Sequence, residues 1–155
     1  MKLLITMLSM VAVLNAEIVE VVADKFFADE VKQVTEFTGH VIVTKSKDKL
    51  VANKVTINFD DKKQPLKYIA TGDVKINLLM EEKEYFGSAQ TMIYDPIKNQ
   101  YTLIKNAFLH EKITNKKVYG DRIWVDQTTG RYEVDSDGDK PVKFIFKVEE
   151  KQKKW

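Results

Sequence analysis

Three segments of the chain are variants of one line: Phe37-Thr-Gly-His-Val-Ile-Val43, Ala70-Thr-Gly-Asp-Val-Lys-Ile76 and Leu103-Ile-Lys-Asn-Ala-Phe-Leu109, each beginning 33 residues after the last. A second line alternates with the first. It ends Ile57-Asn-Phe-Asp60, Met92-Ile-Tyr-Asp95 and Ile123-Trp-Val-Asp126, and begins with a small then a polar residue, Ala52-Asn53, Gly87-Ser88 and Gly120-Asp121. A repeat of this length means that one supersecondary unit, unable to bury its apolar face alone, is stacked on its own copies.

The unit is a pair of strands. In the first line apolar residues fall at every second position (Val41 and Val43, Val74 and Ile76, Ala107 and Leu109), which is the period of a half-buried strand. In the second line Ile57 and Phe59, Met92 and Tyr94, Ile123 and Val125 share one face, and Asn58, Ile93 and Trp124 take the other. Each second line runs into a turn-rich segment, Asp60 to Pro65, Asp95 to Gln100 and Asp126 to Arg131, where the Asp bonds its own backbone and the chain reverses.

Gly39 and Gly72 lie within first-line strands, the mark of a bulge or bend in a curved sheet. Lys105 stands at that place in the third copy, so a weaker bend is expected there. Ala23 to Asp29 reads as a partial copy of the second line, and Val142 to Val148 alternates as a tail strand. No amphipathic helix of any length is evident after residue 16. These units predict an all-β fold: a stacked, curved sheet pair, a jelly roll or a solenoid.

Met1-Lys2, the apolar run Leu3 to Leu14 and then Asn15-Ala16 have the form of a secretory signal peptide cleaved near Ala16. The apolar run is shorter than the roughly 20 residues of a spanning helix. The expected organisation is a signal peptide at 1–16, one domain at 17–148 and a basic tail at 149–155. Loss of 1–16 removes Lys2 and no acid, taking the net charge from +2 to +1. That balance argues against nucleic acid as a partner. With no cysteine, disulfides, thiol chemistry and thiolate metal sites are excluded. Lysines nonetheless gather at Lys45, Lys47 and Lys49, at Lys112, Lys116 and Lys117, and in the tail. They read as solvated turns, or as a rim that meets phosphate.

Catalytic signals are missing from the pattern. His40 and His110 stand alone, without metal spacing, and read as surface or rim residues. No nucleophile elbow, phosphate loop or dinucleotide fingerprint occurs. Asp135-Ser-Asp-Gly-Asp-Lys140 offers alternate oxygens but lacks the closing Glu of a calcium loop, and reads as a hairpin loop. Glu81, Glu82 and Glu84 form no unique constellation, and repeated aspartates give several equivalent positions where an active site needs one. The reading is of a protein that is not an enzyme and carries no cofactor or metal.

What remains is the apolar interior. Alternation assigns Val41, Val43, Val55, Ile57, Val74, Ile76, Met92, Tyr94, Leu109, Ile123 and Val125 to one inner face, either as a plain core or as a lipid-binding groove; a one-residue change of phase would exchange the faces. The order and spacing of Phe37-Thr-Gly-His-Val, Ala70-Thr-Gly-Asp-Val, Gly87-Ser-Ala with Tyr94-Asp95, and Gly120-Asp-Arg-Ile with Thr129-Gly130 resemble the OstA-like family of periplasmic lipopolysaccharide transport proteins, from about Ala23 to Val134.

That resemblance implies a twisted, slotted β-jelly roll whose apolar interior shields the acyl chains of lipopolysaccharide in the periplasm. It also implies bridging to an LptC-like inner-membrane protein and an LptD-like outer-membrane receptor by edge-strand pairing, with a head-to-tail homo-oligomer as a further option. The joints are expected at Ile18 to Ala23 and Val142 to Val148. A structural self-assembling β-repeat protein of the envelope, with a dry interior and no lipid cargo, is the rival reading.

Overall fold

Alternation of apolar and polar residues becomes ten strands in the computed structural model, which describes residues 17–150. The expected signal peptide and residues 151–155 of the expected tail lie outside the described residues. The strands are β1 (Val19–Val22), β2 (Lys25–Asp29), β3 (Val34–Lys45), β4 (Asp48–Phe59), β5 (Pro65–Met80), β6 (Lys83–Asp95), β7 (Gln100–Glu111), β8 (Lys117–Asp126), β9 (Tyr132–Asp135) and β10 (Lys143–Ile145). All pair antiparallel in one sheet, in the order β1-β3-β4-β5-β6-β7-β8-β10, with β2 also on β3 and β9 also on β8. The fold is all-β and jelly-roll-like, an open sheet of repeated strand pairs. Among the described residues no helix is long and apolar enough to cross a membrane.

The repeated aspartates terminate strands, as their position suggests. One carboxylate oxygen of Asp60 accepts the backbone N–H groups of Lys62 and Gln64, that of Asp95 those of Ile97 and Lys98, and that of Asp126 those of Thr128 and Thr129. Asp29, closing the partial copy at β2, does the same for Val31 and Lys32. Each turn thereby gains an acceptor for N–H groups that have left the ladder.

Every long strand is interrupted at the same height. Register shifts fall between Thr38 and Val41, Thr71 and Val74, Ser88 and Thr91, and Ile104 and Ala107, which line up into one crease across the sheet. On β3, β5 and β7 the crease holds two consecutive left-handed residues, Gly39-His40, Gly72-Asp73 and Lys105-Asn106. These pairs stand against a single polar residue of the next strand, Asn53, Gln90 and Asp121, so each is a bulge of two residues against one.

Two expectations are corrected here. Lys105 does not weaken the bend: its φ of 72° falls in the same region as the 82° of Gly72, because the register leaves the extra residue nowhere else to go. The small-polar pair of the middle repeat is Ala89-Gln90 and not Gly87-Ser88, since Ala89 pairs with Val74 as Ala52 pairs with Val41.

The crease divides the sheet into two leaves. One holds β1, β10 and the adjoining halves of the long strands; the other holds β2, β9 and the remaining halves. Both edges are broken at the crease. β1 passes into β2 at Asp24, whose carboxylate covers Gly39, and β9 passes into β10 through residues 136–142. The segment Asp135 to Lys140 is therefore an edge crossover beside Gly120-Asp121 and not a hairpin loop. Asp121 accepts the Asp137 N–H at 2.8 Å, which ties the crossover to the crease.

Folded along this line, the leaves turn their apolar faces together. Lys45 of one leaf bonds Tyr94 of the other, and Gln127 beyond β8 donates to the Asp48 carboxylate and the Leu79 carbonyl of the opposite leaf. A single hydrophobic cluster, fed by β3 to β8, fills the space between.

Candidate functional site: the apolar interior

Ten of the eleven residues assigned to the inner face by alternation are buried there, and Val43 is half-buried against them. Val41, Ile123 and Val125 are wholly shielded from solvent. The same face also carries Leu50, Tyr68, Leu78, Met80, Tyr101 and Leu103, which continue the identical period along longer strands than the repeat suggested. Leu78 and Met80 follow Ile76 at two-residue steps, so the missing signal was strand length and not phase.

Packing is close. The interior retains a cavity of about 40 Å³, room for a few waters, bounded by Val43, Leu50, Val55, Ile76, Met92 and the tyrosines Tyr68, Tyr94 and Tyr101. Tyr94 and Tyr101 stack with centroids 4.3 Å apart, and Tyr68 tilts against Tyr94 at 5.6 Å. Burial pushes the Tyr101 phenol far above the usual tyrosine range, and that of Tyr68 upward as well.

Lys45 is a cation that belongs by phase to the inner face. Val19 of β1 pairs with it, and its ammonium donates to the Tyr94 oxygen at 2.9 Å and meets the Glu17 carboxylate at 3.3 Å. Burial pulls its pKa down, yet the hydrogen bond to Tyr94 and the Glu17 charge together outweigh that and hold it above the ordinary lysine value. Tyr94 in turn donates to the Asn99 side-chain oxygen at 3.0 Å.

One buried carboxylate was not anticipated. Glu111, at the end of β7, accepts the N–H groups of Ile113 and Thr114 and the Thr114 hydroxyl, so it closes the β7–β8 turn from within. His40 is almost fully exposed and bonds Asp24 at 2.7 Å; His110 bonds Asn115 at 2.7 Å and stacks on Phe108. Among the described residues no group of three or more His, Asp or Glu could hold a metal ion.

Apolar side chains are exposed at both edges of the sheet. Phe26 on β2, 62% exposed, tilts against inner-face Phe37, and at the far edge Phe144, paired with buried Val118, stacks on Phe146 at 5.2 Å with about half of each ring exposed. Apolar side chains thus extend onto both outer edges, and at the far edge Tyr132 and Val134 of β9 pack against the central cluster.

The family model of the LptA/(LptD N-terminal domain) LPS transport proteins matches residues 20–131, from β1 through the turn after β8. The chain belongs to this family. In structure, this LptA/LptD-family chain is similar to LptH of Pseudomonas aeruginosa, described as the LptA homologous periplasmic component of the conserved lipopolysaccharide transport device. The TM-score is 0.76 at 19% identity, over 85% of this chain and 96% of that one, a likeness that carries the fold. No curated protein matches the chain. The edge formed by β9 and β10 lies beyond the segment that the family model covers.

Proposed function

We propose that this protein is a periplasmic lipid-transfer protein that shields the acyl chains of lipopolysaccharide between its two leaves. The observation that carries the reading is the apolar interior, flanked at both sheet edges by exposed aromatic side chains, in a chain of the LptA/LptD family. Each CH₂ withdrawn from water contributes about 0.8 kcal/mol, so a molecule with several acyl chains faces a large barrier in water that an apolar passage removes. A cavity of about 40 Å³ cannot take such a chain with the leaves closed. Loading therefore parts the leaves about the crease, exchanging side-chain contacts for acyl contacts of the same apolar character.

The edges supply the second half of the reading. Short strands with unpaired N–H and C=O groups are liabilities unless a partner completes the ladder. β1, within the expected joint at Ile18 to Ala23, suits an LptC-like inner-membrane partner, and β10, within Val142 to Val148, an LptD-like outer-membrane receptor or the β1 edge of a second copy. Exposed Phe144 and Phe146 would carry the apolar face across that joint.

Site-specific photocrosslinking in cells tests the cargo, with a probe at inner-facing Val74 and a control at outer-facing Lys75. A lipopolysaccharide adduct at Val74 alone is expected. Silence at both positions in a folded, exported protein would leave the dry self-assembling β-repeat protein as the better account.

A further inference from the structure

The basic turn between β3 and β4 finds a use in the structure. Lys45 belongs by phase to the inner face, where its same-face neighbours on that leaf, Val19, Val43, Leu50 and Ile76, are apolar; Asp48 and Lys49, at the start of β4, border the cavity as well. A lysine placed there is costly unless its ammonium is partnered. It reaches the mouth of the cavity, where Tyr94 and Glu17 hold it and the side chain keeps 26% of its exposure. Lys47 lines the solvent-side hollow that continues outward past Glu17 and Lys45. A cation backed by a phenol at the mouth of an apolar cavity has the chemistry of a site for an anionic amphiphile.

The charges favour a phosphate monoester. Lys45, Lys47 and Lys49 around the two hollows carry three positive charges, and Asp48 and Glu17, the latter with 62% of its side chain exposed, return one each. Asp48 is committed elsewhere, to the Leu79 N–H and the Gln127 amide. A phosphate monoester carries about −1.5 to −2 at neutral pH, which balances the excess of lysines over Asp48 once Glu17 moves away, whereas a carboxylate would only replace Glu17.

We propose that Lys45 and Lys47, with the Tyr94 hydroxyl, bind the phosphate of an acylated lipid at the mouth of the interior, and that Glu17 is the chain's own placeholder for it. The proposal rests on the lipid-transfer reading and adds to it a phosphate-selective mouth. Displacing Glu17 also frees the start of β1, which lies over the cavity through Val19, so phosphate arrival and opening at this edge are one event.

The test compares monophosphorylated lipid A with its enzymatically dephosphorylated form in detergent micelles, using the full mature chain. The wild type is expected to prefer the phosphorylated lipid by about tenfold, the scale of one charge-assisted hydrogen bond. Lys45→Met, which keeps the aliphatic stem, should lose the preference while retaining the dephosphorylated lipid, and Lys45→Arg should restore it. Glu17→Gln should bind the phosphorylated lipid several-fold more tightly. Tyr94→Phe, which keeps the stack on Tyr101, should lower the preference without abolishing binding.

Equal binding of both lipids, unchanged in Lys45→Met, would overturn the phosphate site and leave the transport reading standing. Binding of neither lipid by a folded wild type would remove both. Inorganic phosphate protecting Lys45 from acylation as well as the lipid does would make this a free-anion site, and increased self-association of Lys45→Met with unchanged lipid selectivity would make Lys45 a guard against edge pairing; either result overturns the proposal.

Discussion

Lys105 holds φ at 72°, ten degrees from the 82° of Gly72 at the same place one repeat earlier. A side chain in the left-handed region costs about 1–2 kcal/mol, and glycine gives back roughly half of that in the entropy it loses on folding. Lys105→Gly should therefore raise stability by about 0.5–1 kcal/mol, read as a higher urea midpoint. An unchanged or lower midpoint would mean that the crease tolerates lysine without strain.

The converse substitution is harsher. A Cβ on Gly72 would sit 2.5 Å from the Asn53 side-chain nitrogen and 2.8 Å from its Cβ, in addition to the positive φ. Gly72→Ala should cost about 2–3 kcal/mol, and Asn53→Gly should recover part of it by clearing the space. Additive losses in the double variant would show that Asn53 is not the obstacle.

These two residues also show what the sequence could and could not convey. Strand phase was legible because period-two alternation is a direct imprint of burial, and it placed Val74, Ile123 and their partners on the inner face. The crease was only half legible. Gly39 and Gly72 announce positive φ, but Lys105-Asn106 does so only through its register with Gly120-Asp121, a tertiary fact. The Ala89-Gln90 crease likewise follows from pairing with Val74, and nothing local prefers it over Gly87-Ser88. Lys45 as an inward-facing cation is visible once phase is known, since it lies two residues past Val43.

The His40–Asp24 pair gives a pH dependence of definite sign. The hydrogen bond to Asp24, then its charge, raises the His40 pKa above 6.5 in the folded state. The protonated imidazole thus favours folding: the contribution is complete below the unfolded value, near 6.5, and disappears as pH rises through the higher folded one. Thermal melting between pH 5.5 and 8.5 should show this decline, and His40→Gln should flatten it. A decline that persists in His40→Gln would assign it to another group.

Ile123 is fully shielded at the centre of the interior. Ile123→Ala should cost about 2–4 kcal/mol by lost burial and the space left behind. A loss under 1 kcal/mol, measured by urea denaturation, would show that the leaves collapse onto the gap and are looser than their packing indicates.

Phe144 and Phe146 are half-exposed and stacked on the β10 edge. Replacing both with lysine should leave the unfolding free energy, read by urea denaturation, within about 0.5 kcal/mol of wild type, as surface substitutions do. By the edge pairing proposed above, copies of the wild type should associate in sedimentation velocity and the double variant should not. Unaltered association would place any joint between copies elsewhere than at this edge.

The bulges of β3, β5 and β7 lie on a single line, like the knuckles of a piano hinge. A strand cannot swing about its own bulge without carrying its hydrogen-bonded neighbours, so the angle between the leaves is one shared coordinate of the whole sheet. A wedge driven in at either end is felt at the other. In the head-to-tail row proposed above, the width of the passage would be transmitted from joint to joint, and a guest entering one copy would already have begun to widen the next.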